Sequence, residues 1–281
     1  MNPALTAPLQ RVSAALGWTG LIQTRYGYKF GDAFFVGALL PTRFGVWTAT
    51  FNGSFIPVWQ LPYGNSFVGR VGWSRDLTDN IFLGASIYSG GLVGDSDSDW
   101  ALAADLGFTY VFGDWSIFKN MRASAVAANL GKNFNPKTGP GEFPSIATLK
   151  LGFASLFVET GNFTAGFSFD VGFPSFQNFT LGFGVDMKII KIITVSVGWD
   201  MNTREIVRDM GMNLPFIGIS VNWTANTGKS GLMTKQGWQT TDFAFSGLWQ
   251  QNTRGLQTVS VGAQADFGGK DTDAPEIIIG D

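Results

Sequence analysis

A stretch of alternating residues, 162–224, constrains the fold of this chain most strongly. In its first segment, small or polar residues alternate with apolar ones, which are Phe163, Ala165, Phe167, Phe169 and Val171. Three further segments, at 179–188, 193–200 and 217–224, repeat the pattern. A period of two residues is that of a β-strand, whose successive side chains point to opposite faces. The stretch therefore predicts four strands, each with an apolar face and a face of glycine, hydroxyl groups and single charges.

Two architectures fit such strands. A soluble β-sandwich buries its apolar face against a second sheet, whereas a membrane β-barrel turns that face towards lipid. The polar face here is mostly Gly, Ser, Thr and single charges, whereas a water-facing sheet is usually protected by many long charged side chains. Charged residues are 14% of the chain, against about 25% in soluble domains, and aromatic residues are 15%. Both observations favour the barrel.

The same alternation extends over residues 11–267 and predicts fourteen strands, with the seventh at 119–130 and the eighth at 144–157. The face assignment of the seventh, alanine-rich strand stays open. An even number of strands of about ten residues is typical of bacterial single-chain barrels. We therefore expect an all-β fold, a single 14-stranded antiparallel transmembrane β-barrel at 11–267. It follows a short N-terminal lead-in at 1–10 and precedes a periplasmic linker at 268–281, to which a further domain could be attached.

The connections between the predicted strands indicate an orientation. Those of ten residues or more should lie outside the cell, as in known barrels; they are 21–31, 53–65, 89–99, 131–143 and 201–212. The inner connections are much shorter. Three connections break this rule: the outer ones near Pro174 and at 251–254 are short, and the inner one at 225–240 is long. We therefore expect a bacterial outer-membrane protein, with outer-membrane lipid around it and both termini in the periplasm.

Several function classes are excluded by composition. The chain has no His and no Cys, so it lacks the usual general base, thiolate chemistry and the commonest metal ligands. The sequence predicts no enzyme and no cofactor. A net charge of −2 without a basic patch also argues against a nucleic-acid partner.

Short motifs add a resemblance. The segments are Asn2-Pro3-Ala4-Leu5, Ala128-Asn129-Leu130-Gly131, Phe143-Pro144 and Leu149-Lys150-Leu151-Gly152. In this order they are similar to segments of FadL-like outer-membrane β-barrels, including the spirochaete and PorV/PorQ-related members. The resemblance implies passive uptake of long-chain fatty acids or other hydrophobic small molecules. FadL itself has a larger N-terminal hatch, so residues 1–10 are either a lead-in or the remnant of a hatch.

Two groups of candidate site residues follow. Charged residues on the predicted inner face should line the lumen, where the cations could meet a carboxylate head group or pair with the carboxylates; they are Arg70, Asp105, Lys150, Asp170, Asp186, Asp200 and Asp266. An outer loop rich in apolar residues could collect a hydrophobic ligand, or instead anchor in the membrane interface; its residues are Phe55, Ile56, Val58, Trp59, Leu61 and Tyr63.

The last strand suggests a partner in biogenesis. Ser260, Gly262, Ala265 and Phe267 have a spacing that resembles the terminal-strand signal read by the barrel assembly machinery, although another amphipathic strand would look alike. A different function also stays open at this point. The barrel could be structural or secretion-associated, and could tether a periplasmic domain or partner through 268–281.

Overall fold

The computed structural model describes residues 2–23, 28–56, 65–94, 98–135, 144, 146–190, 192–207, 214–226, 240–251 and 256–268. Fourteen β-strands lie in this part of the chain. They are β1 (Val12–Gln23), β2 (Tyr28–Thr42), β3 (Gly45–Phe55), β4 (Asn65–Thr78), β5 (Ile81–Val93), β6 (Ser98–Trp115), β7 (Phe118–Lys132), β8 (Thr148–Glu159), β9 (Phe163–Phe173), β10 (Thr180–Ile189), β11 (Ile193–Asn202), β12 (Phe216–Asn226), β13 (Thr240–Gln251) and β14 (Leu256–Phe267). Two 3-10 helices, Pro3–Thr6 and Pro174–Phe176, and one short helix α1 (Thr203–Val207) complete the described elements.

The sheet closes on itself. Each strand pairs antiparallel with its neighbours in sequence, and β1 pairs with β14 as well as with β2. At the seam, Val12 lies opposite Phe267 and Gln23 lies opposite Leu256. The prediction of a single fourteen-stranded antiparallel barrel is confirmed, and the alternative of a two-sheet sandwich is wrong. We call the end of the barrel at Val12 and Phe267 the terminal rim, and the opposite end the loop rim.

The outer surface of the barrel is apolar along its whole circumference. Large side chains on outward positions of different strands are about half exposed or more, such as Leu16 at 62%, Ile87 at 61% and Ile219 at 53%. A soluble protein rarely exposes so continuous an apolar surface, whereas a transmembrane barrel requires one against lipid. No described helix has the length and hydropathy needed to cross a membrane.

Aromatic side chains concentrate near both ends of the outer surface. Near the terminal rim, Trp47 lies opposite Trp73, and the Trp223 ring stacks on that of Phe245 with centroids 4.9 Å apart. Near the loop rim, Trp100 on β6 is 56% exposed. Aromatic girdles of this kind mark the two membrane interfaces, where amphipathic rings are stable.

The inner surface carries mostly small and polar side chains, because each strand alternates with a period of two. The face of the seventh strand is now defined: Ala125 lies opposite outward Phe108 and Leu151, so Ser124 and Val126 point inward. The register between β6 and β7 shifts around Asp105, where Ala104 pairs with Leu130 and Leu106 pairs with Ala127. This β-bulge contains Asn129, whose φ of 59° is left-handed.

Two predicted loops were too long. The expected connections at 21–31 and 89–99 are mostly strand, so 24–27 and 94–97 are what separates β1 from β2 and β5 from β6. Both predictions were wrong because these segments contain glycine and polar residues, which suit the inner face of a barrel strand as well as a turn. The predicted eighth strand also begins later than 144, at Thr148. The linker residues 269–281 lie outside the described part of the chain.

Candidate functional site in the barrel lumen

The N-terminal residues fold back into the barrel. The 3-10 helix Pro3–Thr6 packs against the inner faces of β4, β5 and β6. Ala4 and Ala7 are almost completely buried, with exposed fractions of 0% and 1%. We call residues 2–7 the plug segment, because they occupy lumenal space beside this part of the wall.

Asn2 fixes the plug segment at its start. Its side-chain oxygen accepts a hydrogen bond from the Ala4 N–H at 2.9 Å, which caps the 3-10 helix. Its Nδ2 donates to Thr109 Oγ1 at 3.0 Å and to the Phe108 carbonyl at 3.3 Å. One side chain therefore both starts the helix and attaches it to β6.

Two glycines make room for the plug segment. Gly84 on β5 lies directly opposite Gly107 on β6. A Cβ added at Gly84 would lie 2.4 Å from the Pro3 carbonyl carbon, and one at Gly107 would lie 2.1 Å from Asn2 Oδ1. Both distances are far below van der Waals contact, so any larger residue at either position would displace the plug segment or the wall.

An apolar surface runs along the inner wall on the other side of the plug segment. Towards the terminal rim, a cavity of about 440 Å³ is lined by Leu9, Phe35 and Leu39 together with the plug segment. Towards the loop rim, a second cavity of about 440 Å³ is lined by Phe35, Val68 and Leu248. Because Phe35 and Asn52 line both cavities, the two are adjacent. We call these apolar side chains, Leu9, Phe35, Leu39, Val68 and Leu248, the apolar track.

The sequence itself contains a signal for this track, although alternation does not reveal it. Residues 33–40 of β2 form a nearly continuous apolar run instead of an alternating one. Because Phe34 and Val36 face outward, such a run must also place apolar side chains inside, at Phe35 and Leu39. The inner residues of β2 could therefore have been proposed as ligand-contacting residues.

A polar cavity of about 560 Å³ lies on the opposite wall, formed by β7 to β11 and by Asn2 and Leu5. Three predicted lumen-lining residues, Lys150, Asp170 and Asp200, line it together. Asp170 and Asp200 flank Gly182 in one row of the sheet. Glycine leaves the space that these carboxylates occupy, since a Cβ at Gly182 would lie 3.0 Å from Asp200 Oδ1.

Arg70 and Asp105 face the lumen and form an ion pair with each other. The Asp105 side chain is 1% exposed and accepts two further hydrogen bonds, from Ser86 Oγ at 3.2 Å and from the Asn129 N–H at 2.8 Å. The Arg70 guanidinium also lies over the ring of Tyr88, with Cζ 4.9 Å from the centroid. The N–H that the β7 bulge frees from the ladder thus binds a lumenal carboxylate.

The two remaining lumenal candidates, Asp186 and Asp266, line none of these three cavities. Asp186 on β10 accepts a hydrogen bond from Ser196 on β11. Asp266, near the terminal rim, accepts one from Gln264 Nε2 at 2.8 Å. The structure therefore divides the seven charged candidates between the polar cavity, one buried ion pair and two local hydrogen bonds.

The structure describes two of the six apolar outer-loop candidates, Phe55 and Ile56. Phe55 is the last residue of β3, on the outward face, where its ring lies 5.7 Å from that of Phe34 and 5.5 Å from that of Phe67. Ile56 follows it directly, and Val58, Trp59, Leu61 and Tyr63 lie outside the described residues. Phe55 is thus placed towards lipid. Within the described residues, no group of three or more Asp or Glu side chains could hold a metal ion.

No protein-family model matches the sequence, and no curated protein matches it significantly. Solved structures with a similar fold include a FadL homologue of Pseudomonas aeruginosa (TM-score 0.54, 11% identity, 95% of this chain and 92% of that chain). Others are the toluene transporter TodX of Pseudomonas putida (TM-score 0.53, 10% identity, 95% and 92% covered) and the outer membrane protein Omp33 of Acinetobacter baumannii (0.53, 9%, 92% and 98%). At these identities the likeness concerns the fold. The chain therefore has a FadL-like outer-membrane β-barrel fold.

Proposed function

We propose that this protein is a passive outer-membrane channel for hydrophobic small molecules, with the apolar track as its ligand-contacting surface. The terminal rim faces the periplasm and the loop rim faces the outside. The observation that carries the proposal is the pair of adjacent cavities on either side of Phe35, which together form an apolar surface along one side of the lumen. Long-chain fatty acids are one class of molecule whose alkyl chain such a surface would accept.

The size and chemistry of the track support this proposal. Small-molecule pockets of proteins typically enclose about 300–1,000 Å³ and are lined by apolar side chains with a few polar groups. Each cavity is about 440 Å³. Asn52, Ser54 and Ser66 supply neutral polar groups along one edge, and the track itself is aliphatic and aromatic. Burial of an apolar ligand here is favourable because it removes the apolar surfaces of both the ligand and the track from water.

The plug segment restricts passage, because it forms one side of the cavity towards the terminal rim, which we call the lower cavity. Asn2, Pro3 and Thr6 of the plug segment line this cavity together with Leu39 and Phe35. A ligand that passes from the loop rim to the terminal rim along the track must therefore pass the plug segment. Movement of these six residues would widen the path without any change in the strands.

Uptake of a labelled hydrophobic compound by proteoliposomes tests the proposal. The wild-type barrel should accelerate uptake over protein-free liposomes, and Phe35→Asn should slow it several-fold because a polar amide interrupts the track. Ser168→Asn is the matched control: it introduces the same amide on the inner face of β9, outside the track. Equal uptake by Phe35→Asn and Ser168→Asn would contradict the assignment of the track, and no acceleration by the wild type would contradict transport.

A further inference from the structure

The chemistry of the lower cavity of the track is set by one cation. Among the described residues that line this cavity, Arg70 is the one with a charged side chain. The rest include Leu9, Phe35 and Leu39 of the apolar track, part of the plug segment, and neutral polar groups such as Thr48, Thr50 and Gln264. A ligand head group in this cavity therefore meets Arg70 or only neutral groups.

The charge of Arg70 is already balanced. Its Nη1 contacts Asp105 Oδ2 and lies 3.4 Å from Ser86 Oγ. Because the Asp105 side chain is 1% exposed, solvent does not screen the pair from that side. Arg70 and Asp105 together have a formal charge of zero as seen from the cavity.

The guanidinium nevertheless keeps donors available. An arginine side chain has five N–H groups and no acceptor, and in the described part of the chain the acceptors of Arg70 are all bound through Nη1. The side chain is 25% exposed and lines the cavity. Nη2 and Nε can therefore donate to a neutral oxygen of a bound molecule.

A carboxylate would be received differently. Removing it from water into an apolar cavity is strongly unfavourable unless a cation is free to pair with it. At Arg70 it would also come close to the carboxylate of Asp105, which repels it. Lys150 cannot take over this role, because it lines the polar cavity on the opposite wall.

We propose that Asp105 determines the substrate class of the track: by neutralising Arg70, it favours hydrophobic molecules with an uncharged oxygen head group, such as esters, ketones and alcohols, over carboxylates of equal chain length. This inference rests on the proposed function, since it assigns a specificity to the same track. A purely structural role for Asp105, in holding the β7 bulge through Asn129, would predict no effect on ligand preference.

Equilibrium binding of two labelled probes with the same alkyl chain, decanoate and methyl decanoate, tests the inference on the whole chain in nanodiscs. The wild type should bind methyl decanoate more tightly by on the order of tenfold. Asp105→Asn keeps the size of the side chain and an oxygen for the Asn129 N–H, but frees the charge of Arg70. It should strengthen decanoate binding by about tenfold while methyl decanoate changes by less than about threefold.

Two further variants make the result decisive. Asp170→Asn removes a lumenal carboxylate from the polar cavity and should leave the preference unchanged. The double variant Arg70→Met and Asp105→Asn removes both charges and should return decanoate binding to the wild-type level. If Asp105→Asn does not fold, Asp105→Ser takes its place, because it also keeps Arg70 and removes the carboxylate that neutralises it. Folding of every variant is checked by its heat-modifiable migration on a gel.

The outcomes distinguish a failure of the proposed transport function from a failure of the role assigned to Asp105. If the wild type binds neither probe, the proposed transport function is overturned. If it binds both probes equally, or if Asp105→Asn binds both with the wild-type preference, the track stands and the role of Asp105 is overturned. If Asp170→Asn shifts the preference as Asp105→Asn does, a general lumenal charge effect replaces the local one.

Discussion

The Thr6 hydroxyl lies 2.8 Å from the Ser74 hydroxyl, and this hydrogen bond joins the plug segment to the inner face of β4. Asn2 joins the other end of the plug segment to β6 through Thr109. The plug segment is thus held at two points by neutral hydrogen bonds, each of which contributes only about 1 kcal/mol. Such an attachment holds the segment in place and still allows it to be displaced.

Filling the recess that Gly84 and Gly107 leave in the wall should displace the plug segment and open the lumen. Gly107→Val would place a side chain where Asn2 Oδ1 now lies, because an added Cβ is already 2.1 Å from that atom. We expect the plug segment to leave the wall and the single-channel conductance in planar bilayers to rise several-fold. Gly69→Val is the matched control, since a Cβ at Gly69 meets nothing within 4 Å. A conductance of Gly107→Val equal to that of the control would show that the plug segment does not obstruct ions.

The lipid-facing surface should tolerate charge poorly. Ile219 on β12 is 53% exposed on the outward face, and Ser220 beside it points inward. Ile219→Arg should lower the free energy of unfolding in lipid vesicles by about 2–4 kcal/mol, the range known for arginine near the bilayer midplane. Ser220→Arg should lower it by much less, because the inner face is polar. Denaturant titrations in vesicles measure both, and an equal loss for the two variants would contradict the assignment of the faces.

The seam between the first and last strands should depend on Arg11. Its guanidinium pairs with Asp242 and donates to the carbonyl groups of Asp266 and Gly268, the latter at 2.9 Å. Arg11→Met should lower the free energy of unfolding by about 1 kcal/mol, since Asp242 is 41% exposed and solvent weakens the pair. Arg204→Met on α1 is the control. The midpoint temperature of unfolding, followed by heat-modifiable migration on a gel, measures the effect. If this temperature falls equally for both variants, the seam does not depend on Arg11.

The orientation of the barrel can be tested with single cysteines, because the natural chain has none. Gly161 lies in the β8–β9 turn at the terminal rim, and Gln177 lies between β9 and β10 at the loop rim; both are exposed. A membrane-impermeant maleimide should label Gln177→Cys in intact cells. It should label Gly161→Cys only after the outer membrane is permeabilised. The reverse pattern would place the termini outside.

The fold could be predicted from the sequence because alternation is a local property. Phe163 to Val171 reveal two faces without knowledge of any partner strand, and the same holds for most of the fourteen strands. The boundaries at 21–31 and 89–99 were wrong because glycines and hydroxyl residues suit both a turn and the inner face of a barrel strand. In a lumen, these residues do not end a strand.

The site was less predictable because it depends on long-range pairing. Arg70 and Asp105 were both expected in the lumen, but their contact follows from the registers of β4 with β5 and of β5 with β6. The position of the plug segment depends on the recess at Gly84 and Gly107, some hundred residues away along the chain. A two-residue period contains no information of that kind.

The apolar residues on both faces of β2 have a genetic consequence. Phe34 and Phe35 are adjacent and chemically identical, yet one belongs to the outer surface and the other to the apolar track. In a genetic selection, a polar replacement of Phe34 should reduce the amount of this protein in the membrane. The same replacement of Phe35 should leave the protein level unchanged and alter which compounds the cell admits. Along this strand, odd and even positions should therefore separate into two classes of mutant.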